Sequence, residues 1–371
     1  MAIINTKEII MKDPLSPHSS HFDFGTPPPS PPPSTTTSKS PCLPPFTSNS
    51  KTSSTVTPIS DKYSTSKPWY HTTIGKRLGP KARELLENYS HIPPEEVDAH
   101  VYKMRDLLWN QTPYPSIGNF SFLTLRLLTH PLYPRIVEIL STPSTPSNAP
   151  ALFLDLGCCV AQELRSLAYH ARIPPSQLYG TDYNASFLKS SYKIFLDASH
   201  PQSQSQSPSQ SFTLLPANIL DPNFFTLTFR NHIHSFSIIH ASLFMHLFTW
   251  DQQLLVCANI VKLLKNTEGA LFVGCMVGKQ GGGTGEQGRW LHDADSWVRL
   301  WGEVWEQVGM TGSWKVQGEL RDLPGDLGKE GEDEEEWEER MVGKEGVGVG
   351  LFEFSVERTG MGSRESRLRN T

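Results

Sequence analysis

The chain has 371 residues, of which 37% are hydrophobic and 30 are proline, and its formal net charge is −5 at pH 7. The low apolar fraction and the high proline content exclude a second large core and predict long unfolded stretches. The eight acids of residues 330–339 account for the negative charge, and the chain lacks the basic composition of a nucleic-acid-binding protein.

The cysteines and the apolar runs indicate neither a secreted nor a membrane protein. Five cysteines are present, an odd number without a C-x-x-C pair, and four of them lie in apolar surroundings, which predicts reduced thiols. The first fourteen residues include acids and lack the apolar run of a signal peptide. No stretch approaches the roughly 18 apolar residues of a membrane span. We therefore expect a cytoplasmic protein without a membrane span.

Residues 1–67 are dominated by Ser, Thr and Pro. Such sequence cannot bury enough apolar surface to offset its chain entropy, so we expect a disordered tail. A polyproline recognition motif in the run at 27–34 is the alternative. Residues 68–150 carry amphipathic helical patterns interrupted by prolines, which predict a helical lid on the substrate side of the domain that follows.

From residue 151 the pattern alternates between short apolar strands and helices. Residues 151–156 predict a strand that is buried on both faces, 161–168 a helix, and 178–182 a second strand. This order is a βαβ unit, so the two strands are parallel. Further strands are predicted at 212–217, 236–241, 269–277, 314–320 and 351–357. The series predicts an α/β doubly wound, mostly parallel sheet of about seven strands.

Two biased stretches interrupt this domain, which we place at residues 151–358. The Ser- and Gln-rich residues 199–211 predict a solvated loop, and the acidic residues 325–346 predict an insert between the last two strands. Residues 359–371 are expected to form a second disordered tail.

The turn after the first strand is the strongest candidate for a ligand site. Asp155 precedes Gly157, and small residues follow at Cys159 and Ala161, so a backbone could approach a ligand closely. Asp182 ends the second strand, where its carboxylate could accept both hydroxyls of a ribose. The turn has too few glycines to cradle the phosphates of NAD. The pattern resembles the cofactor site of class I S-adenosylmethionine-dependent methyltransferases, although an ordinary strand-to-helix corner and a solvated Asp182 remain alternatives.

Two further polar residues follow later strands. Asn218 comes just after the third strand and could bind adenine, or it could serve as a turn residue. His240 leaves the fourth strand and could be a base or a positioning donor, or a core histidine bonded to backbone. His246 lies six residues further on, which is not a metal-ligand spacing on a helix, so no metal site is expected.

Several blocks of the sequence resemble the fungal methyltransferases of meroterpenoid and related polyketide biosynthesis. They are LENYSHIPPEEVDAHVYKMRD, PYPSIGNFSFL, FLDLGCCVAQELR, LYGTDYNASFL, IIHASLFMHLFTWDQQ and the GRWLHDADSWVRLWGEVWEQVG region, and they span roughly 75–320. The resemblance implies a Rossmann-like fold, S-adenosylmethionine as cofactor, and O-methylation of a small polyketide or meroterpenoid, with a carboxylate as one candidate acceptor. The family usually has glycine at Ala161 and often an acid at Asn218.

The resemblance also implies roles for individual residues. The expected cofactor contacts are Asp155, Gly157, Cys158, Asp182, Tyr183, Asn218, Ile219 and His240. Asp155 and Gly157 would lie on the methionine side, Asp182 at the ribose and Asn218 at the adenine. Tyr114, Phe120 and Trp290 are candidate substrate contacts, and plain core packing is the alternative for each of them.

A carboxylate acceptor needs no general base, whereas a phenol would benefit from one such as His240.

Two other functions stay open at this point. One rival to the enzyme is a binding or regulatory protein that kept the fold and lost catalysis. The other is a nucleotide-dependent oxidoreductase, which the poor phosphate turn disfavours. The sequence does not decide between a monomer and a homodimer.

Overall fold

In the part of the chain that the structure describes, the central sheet has eight strands in the order β1-β9-β10-β6-β5-β2-β3-β4. The computed structural model describes residues 5–12, 63–144, 149–197, 211–322 and 348–360. The parallel strands are β2 (Phe153–Leu156), β3 (Leu178–Asp182), β4 (Thr213–Pro216), β5 (Ile238–Ser242) and β6 (Leu271–Lys279). The antiparallel strands are β1 (Asn5–Lys12), β9 (Ser313–Arg321) and β10 (Val349–Gly360). The predicted doubly wound α/β sheet is confirmed, with one strand more than expected.

The strand order reverses between β2 and β5, which are adjacent in the sheet. In a doubly wound sheet the connections after these strands leave toward opposite faces, and a crevice opens at their carboxyl ends. That crevice is the ordinary place for a ligand in this class of fold. A separate two-stranded ribbon is formed by β7 (Gly283–Thr284) and β8 (Trp290–Leu291).

Strand β1 falls within the residues that we expected to be disordered. It pairs with β9 along its length, from Asn5 opposite Leu320 to Lys12 opposite Ser313. Ile9 and Met11 pack against the core. The expectation of disorder is therefore corrected for residues 5–12, because alternate apolar residues were hidden in a segment of polar average composition. Of the other predicted tails and inserts, 13–62, 198–210, 323–347 and 361–371 lie outside the described residues.

The helices precede, connect and cover these strands. They are α1 (Pro80–Glu84), α2 (Val97–Trp109), α3 (Pro115–Gly118), α4 (Arg126–Thr129), α5 (Tyr133–Ser141), α6 (Gln162–His170), α7 (Ala185–Ile194), α8 (Trp250–Leu263) and α9 (Ala294–Val308). Asn184 caps α7, since its side chain accepts the N–H of Ser186. Capping boxes begin α8 at Thr249 and α9 at Asp293.

The two faces of the sheet have different covers. Helices α8 and α9 pack on one face through a core that includes Phe272 and Trp301. Helices α5 and α6 pack on the other face against Phe153 and Val273. Residues 68–128, which we call the lid, have a core of their own that also takes in Val160, just before α6, and Phe187 of α7. The lid therefore packs directly on the β2–α6 turn.

Candidate active site

The β2–α6 turn contains three residues in the left-handed backbone region. The φ angles are +67° at Gly157, +50° at Cys159 and +53° at Ala161. A Cβ at Gly157 would collide with the ring of Phe244, so only glycine fits there. The N–H groups of Gly157 and Cys158 donate to the Thr181 carbonyl at 2.8 and 3.1 Å, which fixes the turn on β3.

Asp182 ends β3 beside this turn. Its Oδ2 accepts the N–H of Cys159 at 3.0 Å, and its Oδ1 accepts the N–H of Asn184 at 2.8 Å. Burial raises the pKa of the carboxyl, and the two N–H donors counteract part of that rise. Each carboxylate oxygen retains a second lone pair. Asp182 can therefore accept ligand hydroxyls while it holds the turn.

A cavity of about 260 Å³ lies beyond Asp182, where β3 and β4 end. Its lining consists of Tyr183, Pro216, Ala217, Asn218, Asp221, Asn223, Phe224, Leu227 and Thr228. Asn218 closes a turn, since its Oδ1 accepts the N–H of Leu220 at 3.0 Å, and its amide nitrogen can still donate to a ligand. Tyr183 is 63% exposed and offers a ring face, whereas Ile219 is buried in the core. The cavity therefore combines an exposed aromatic side chain with an amide donor.

Asp155 and His240 form a buried pair on adjacent strands. They are opposite each other in the β2–β5 register, and Nδ1–H of His240 donates to Asp155 Oδ1 at 2.8 Å. Burial lowers the pKa of His240, but the carboxylates of Asp155 and Glu163 outweigh it, so that the pKa is raised. The imidazole is 1% exposed, and the cavity of about 20 Å³ beside it has room for one water molecule. His240 thus lies inside the sheet, not at the open end of β5.

Glu163, in the first turn of α6, is a third ionisable group in this region. It is 1% exposed, and its Oε1 accepts the N–H of Leu127 in the lid at 3.1 Å. Burial raises its pKa to about 7, against the opposing effect of His240. Sequence reasoning missed Glu163 because an acid in a first turn is usually a surface residue favoured by the helix dipole. Its spacing of four from the core residue Leu167 was the available signal.

The three candidate substrate aromatics occupy different places. The hydroxyl of Tyr114 in the lid meets the hydroxyl of Tyr183 at the cavity. Phe120 is fully buried in the lid core, in edge-to-face contact with Tyr102. Trp290 packs edge-to-face on Trp250, with ring centroids 4.9 Å apart. The structure therefore brings Tyr114, but not Phe120, to the same site as Asp182.

Phe244 is a site residue that the sequence did not single out. It follows β5, contacts Gly157, and packs edge-to-face on Phe248 with centroids 4.9 Å apart. The N–H of Trp290 in turn donates to the Phe248 carbonyl at 2.9 Å, which links Trp290 to the turn through two aromatic residues.

Among the described residues, no helix has both the length and the apolar character needed to cross a membrane.

Comparison with known proteins gives a consistent set of relatives. Residues 69–123, within the lid, match the family model of the meroterpenoid methyltransferase N-terminal domain. The O-methyltransferase phiE of a fungal species is 38% identical over 253 residues, which covers 67% of this chain and 78% of phiE. The O-methyltransferase atr3 of Stereocaulon alpinum is 34% identical over 271 residues, 71% of this chain and 72% of atr3. The asnovolin E/chermesin D methyltransferase nvfJ of Aspergillus novofumigatus is 34% identical over 238 residues, 63% of this chain and 79% of nvfJ.

Proposed function

The chain belongs to the fungal methyltransferase family of meroterpenoid and related secondary-metabolite biosynthesis, and we propose that it binds S-adenosylmethionine at the carboxyl ends of β2, β3 and β4. The observation that carries the proposal is the position of Asp182, which holds the turn and directly precedes Tyr183 in the lining of the cavity. Asp182 would take the ribose hydroxyls, Tyr183 and Asn218 the adenine, and the backbone around Gly157 the methionine end.

The bound cofactor supplies a methyl group that its sulfonium makes strongly electrophilic. The protein's own task is to place an acceptor oxygen in line with that methyl group and to exclude water. The lid supports this role, since Tyr114 reaches Tyr183 and Leu127 is bonded to Glu163 next to the turn. We assign His240 to positioning, because its imidazole is buried and bonded to Asp155 under the turn.

We propose that the acceptor is a carboxylate of a small polyketide or meroterpenoid. A carboxylate is already ionised near neutral pH, so it requires no general base. The burial of His240 and its bond to Asp155 suit such an acceptor better than a phenol, which would need a base at the methyl group. The name of the relative phiE supports an oxygen acceptor, and the name of nvfJ, an asnovolin E/chermesin D methyltransferase, supports a small-molecule acceptor.

Calorimetric titration of S-adenosylmethionine into the full chain tests the cofactor site. Asp182→Asn should weaken binding about tenfold or more, because charge-assisted hydrogen bonds to the ligand are lost. Asp251→Asn, an exposed acid in the first turn of α8, is the matched control for charge. Wild-type binding that Asp182→Asn leaves unchanged would contradict the assignment.

Mass spectrometry of polyketide acids incubated with the enzyme and cofactor tests the acceptor. A gain of one methyl group as an ester supports the carboxylate, and transfer to phenols alone would contradict it. Cofactor binding without turnover on any acceptor would favour the rival function, a binding protein that lost catalysis.

We also propose that the protein acts in the cytoplasm. The four cysteines in the described part of the chain, Cys158, Cys159, Cys257 and Cys275, are free thiols, and burial raises the pKa of each. Unpaired thiols, of which three are buried and that of Cys159 is half-buried, suit a reducing compartment. Fractionation of the producing cells would test this location.

A further inference from the structure

Arg165 in α6 donates hydrogen bonds to the backbone of the β2–α6 turn from the buried side. The side chain is fully buried, and its Nη1 donates to the carbonyls of Val160 and Ala161, both at 3.2 Å. Ala161 is one of the three left-handed residues of the turn. The guanidinium therefore acts on the segment of the turn that a glycine would accommodate without strain and an alanine does not.

The guanidinium is itself held in place. Its Nε and Nη2 donate to the two carboxylate oxygens of Asp197 at 2.8 and 3.1 Å, and it lies over the ring of Phe195, 4.6 Å from the centroid. Asp197 also accepts the hydroxyl of Tyr89, in the lid, at 2.9 Å. A planar, bidentate arrangement of this kind fixes the direction of the remaining N–H donors.

The conformation of the turn bears directly on the cofactor site. The N–H of Cys159, another left-handed residue, donates to Asp182 Oδ2, so a relaxed turn would release one oxygen of the ribose-binding carboxylate. We propose that Arg165 is a positioning residue, which holds the turn in its cofactor-binding conformation in place of a glycine at position 161. This inference rests on the cofactor site proposed above.

A merely structural role for Arg165 makes a different prediction. In that case the residue matters through its ion pair with Asp197, which joins α6 to the end of α7. Removal of Asp197 would then have the same effect as removal of both partners. The two roles are separated by taking Asp197→Asn as the reference and adding Arg165→Met, because the second change removes the donors to Val160 and Ala161 without leaving a buried carboxylate unpaired.

The experiment measures S-adenosylhomocysteine affinity by calorimetry in full-length variants. Relative to Asp197→Asn, the double variant should bind about tenfold more weakly, which is a coupling of ordinary size for groups in contact. Adding Ala161→Gly should recover most of this loss in the double variant and give a smaller gain in the reference. Circular dichroism establishes that each variant is folded, and hydrogen exchange of the peptide 157–165 without ligand should be faster in the double variant only.

Equal affinity and equal exchange in the reference and the double variant would overturn the proposal. The same gain from Ala161→Gly in both backgrounds would also overturn it, because the glycine would then not substitute for the arginine. If the wild type itself binds no cofactor, the proposed cofactor site fails, and hydrogen exchange, which needs no ligand, still decides whether Arg165 holds the turn.

Discussion

The buried Glu163 makes stability depend on pH in a direction opposite to that of an ordinary surface acid. Its pKa rises from 4.5 to about 7 on folding, mainly through burial. An acid with a raised pKa in the folded state stabilises the fold below its unfolded pKa, and this contribution is lost as the pH rises through the folded pKa. A pKa that rises from 4.5 to about 7 corresponds to about 3 kcal/mol of stability, which is lost between pH 4.5 and just above pH 7.

Glu163→Gln tests this expectation, since glutamine keeps an acceptor for the Leu127 N–H and cannot ionise. At pH 4.5 the variant and the wild type should have similar free energies of unfolding. By pH 8 the variant should be the more stable of the two by up to about 3 kcal/mol. The measurement is urea unfolding followed by circular dichroism from pH 4.5 to 8.

The matched control is Glu306→Gln, which removes an acid from the exposed face of α9. Its stability should follow that of the wild type across the range. If the wild type and Glu163→Gln gave parallel stability curves, the carboxyl would have the same pKa in the folded and unfolded states, and the reasoning from burial would be refuted.

Three other predictions concern the turn, the lid and the edge of the sheet. Gly157→Ala should weaken cofactor binding about tenfold or more and lower the free energy of unfolding by about 1–3 kcal/mol, because it adds backbone strain and a collision with Phe244. Calorimetry measures the affinity and urea unfolding measures the stability, and wild-type values of both would contradict the prediction. Tyr114→Phe should speed cofactor dissociation about threefold to tenfold in stopped-flow fluorescence, since the hydroxyl contact with Tyr183 is lost; an unchanged rate would exclude a lid contact at this point. Deletion of residues 1–12 should lower the melting temperature and promote self-association in light scattering, because the edge of β9 loses its partner strand. Monodisperse protein of unchanged melting temperature would show that β1 contributes nothing to stability or to protection of the sheet edge.

The parallel part of the fold could be predicted because its signals are local. Apolar runs located β2 to β6, and the observed strand boundaries differ from the predicted ones by no more than three residues. Average composition does not reveal β1, because its eight residues are followed by a long polar stretch that dominates the average. Pairing of that strand with β9, about 300 residues away, leaves no mark in either segment alone.

The residues of the candidate site also differ in whether the sequence alone predicts them. The places of Gly157 and Asp182 beside the β2–α6 turn could be predicted, because each residue stands where a strand gives way to a turn. The partnership of Asp155 with His240 depends on the register of two strands that are far apart in sequence. The burial of Glu163 and Arg165 depends on how the lid and α7 cover α6, which no pattern within α6 expresses.

Because β1 is paired in the sheet, residues 13–62 have a connecting role in the protein. They join β1 to the lid, so they form a covalent tether between two parts of the same fold. This covalent connection makes the pairing of β1 with β9 an intramolecular event, which does not depend on the concentration of the protein. A single proteolytic cut in this tether would return β1 to bulk dilution, and the edge of β9 would then be open to other chains.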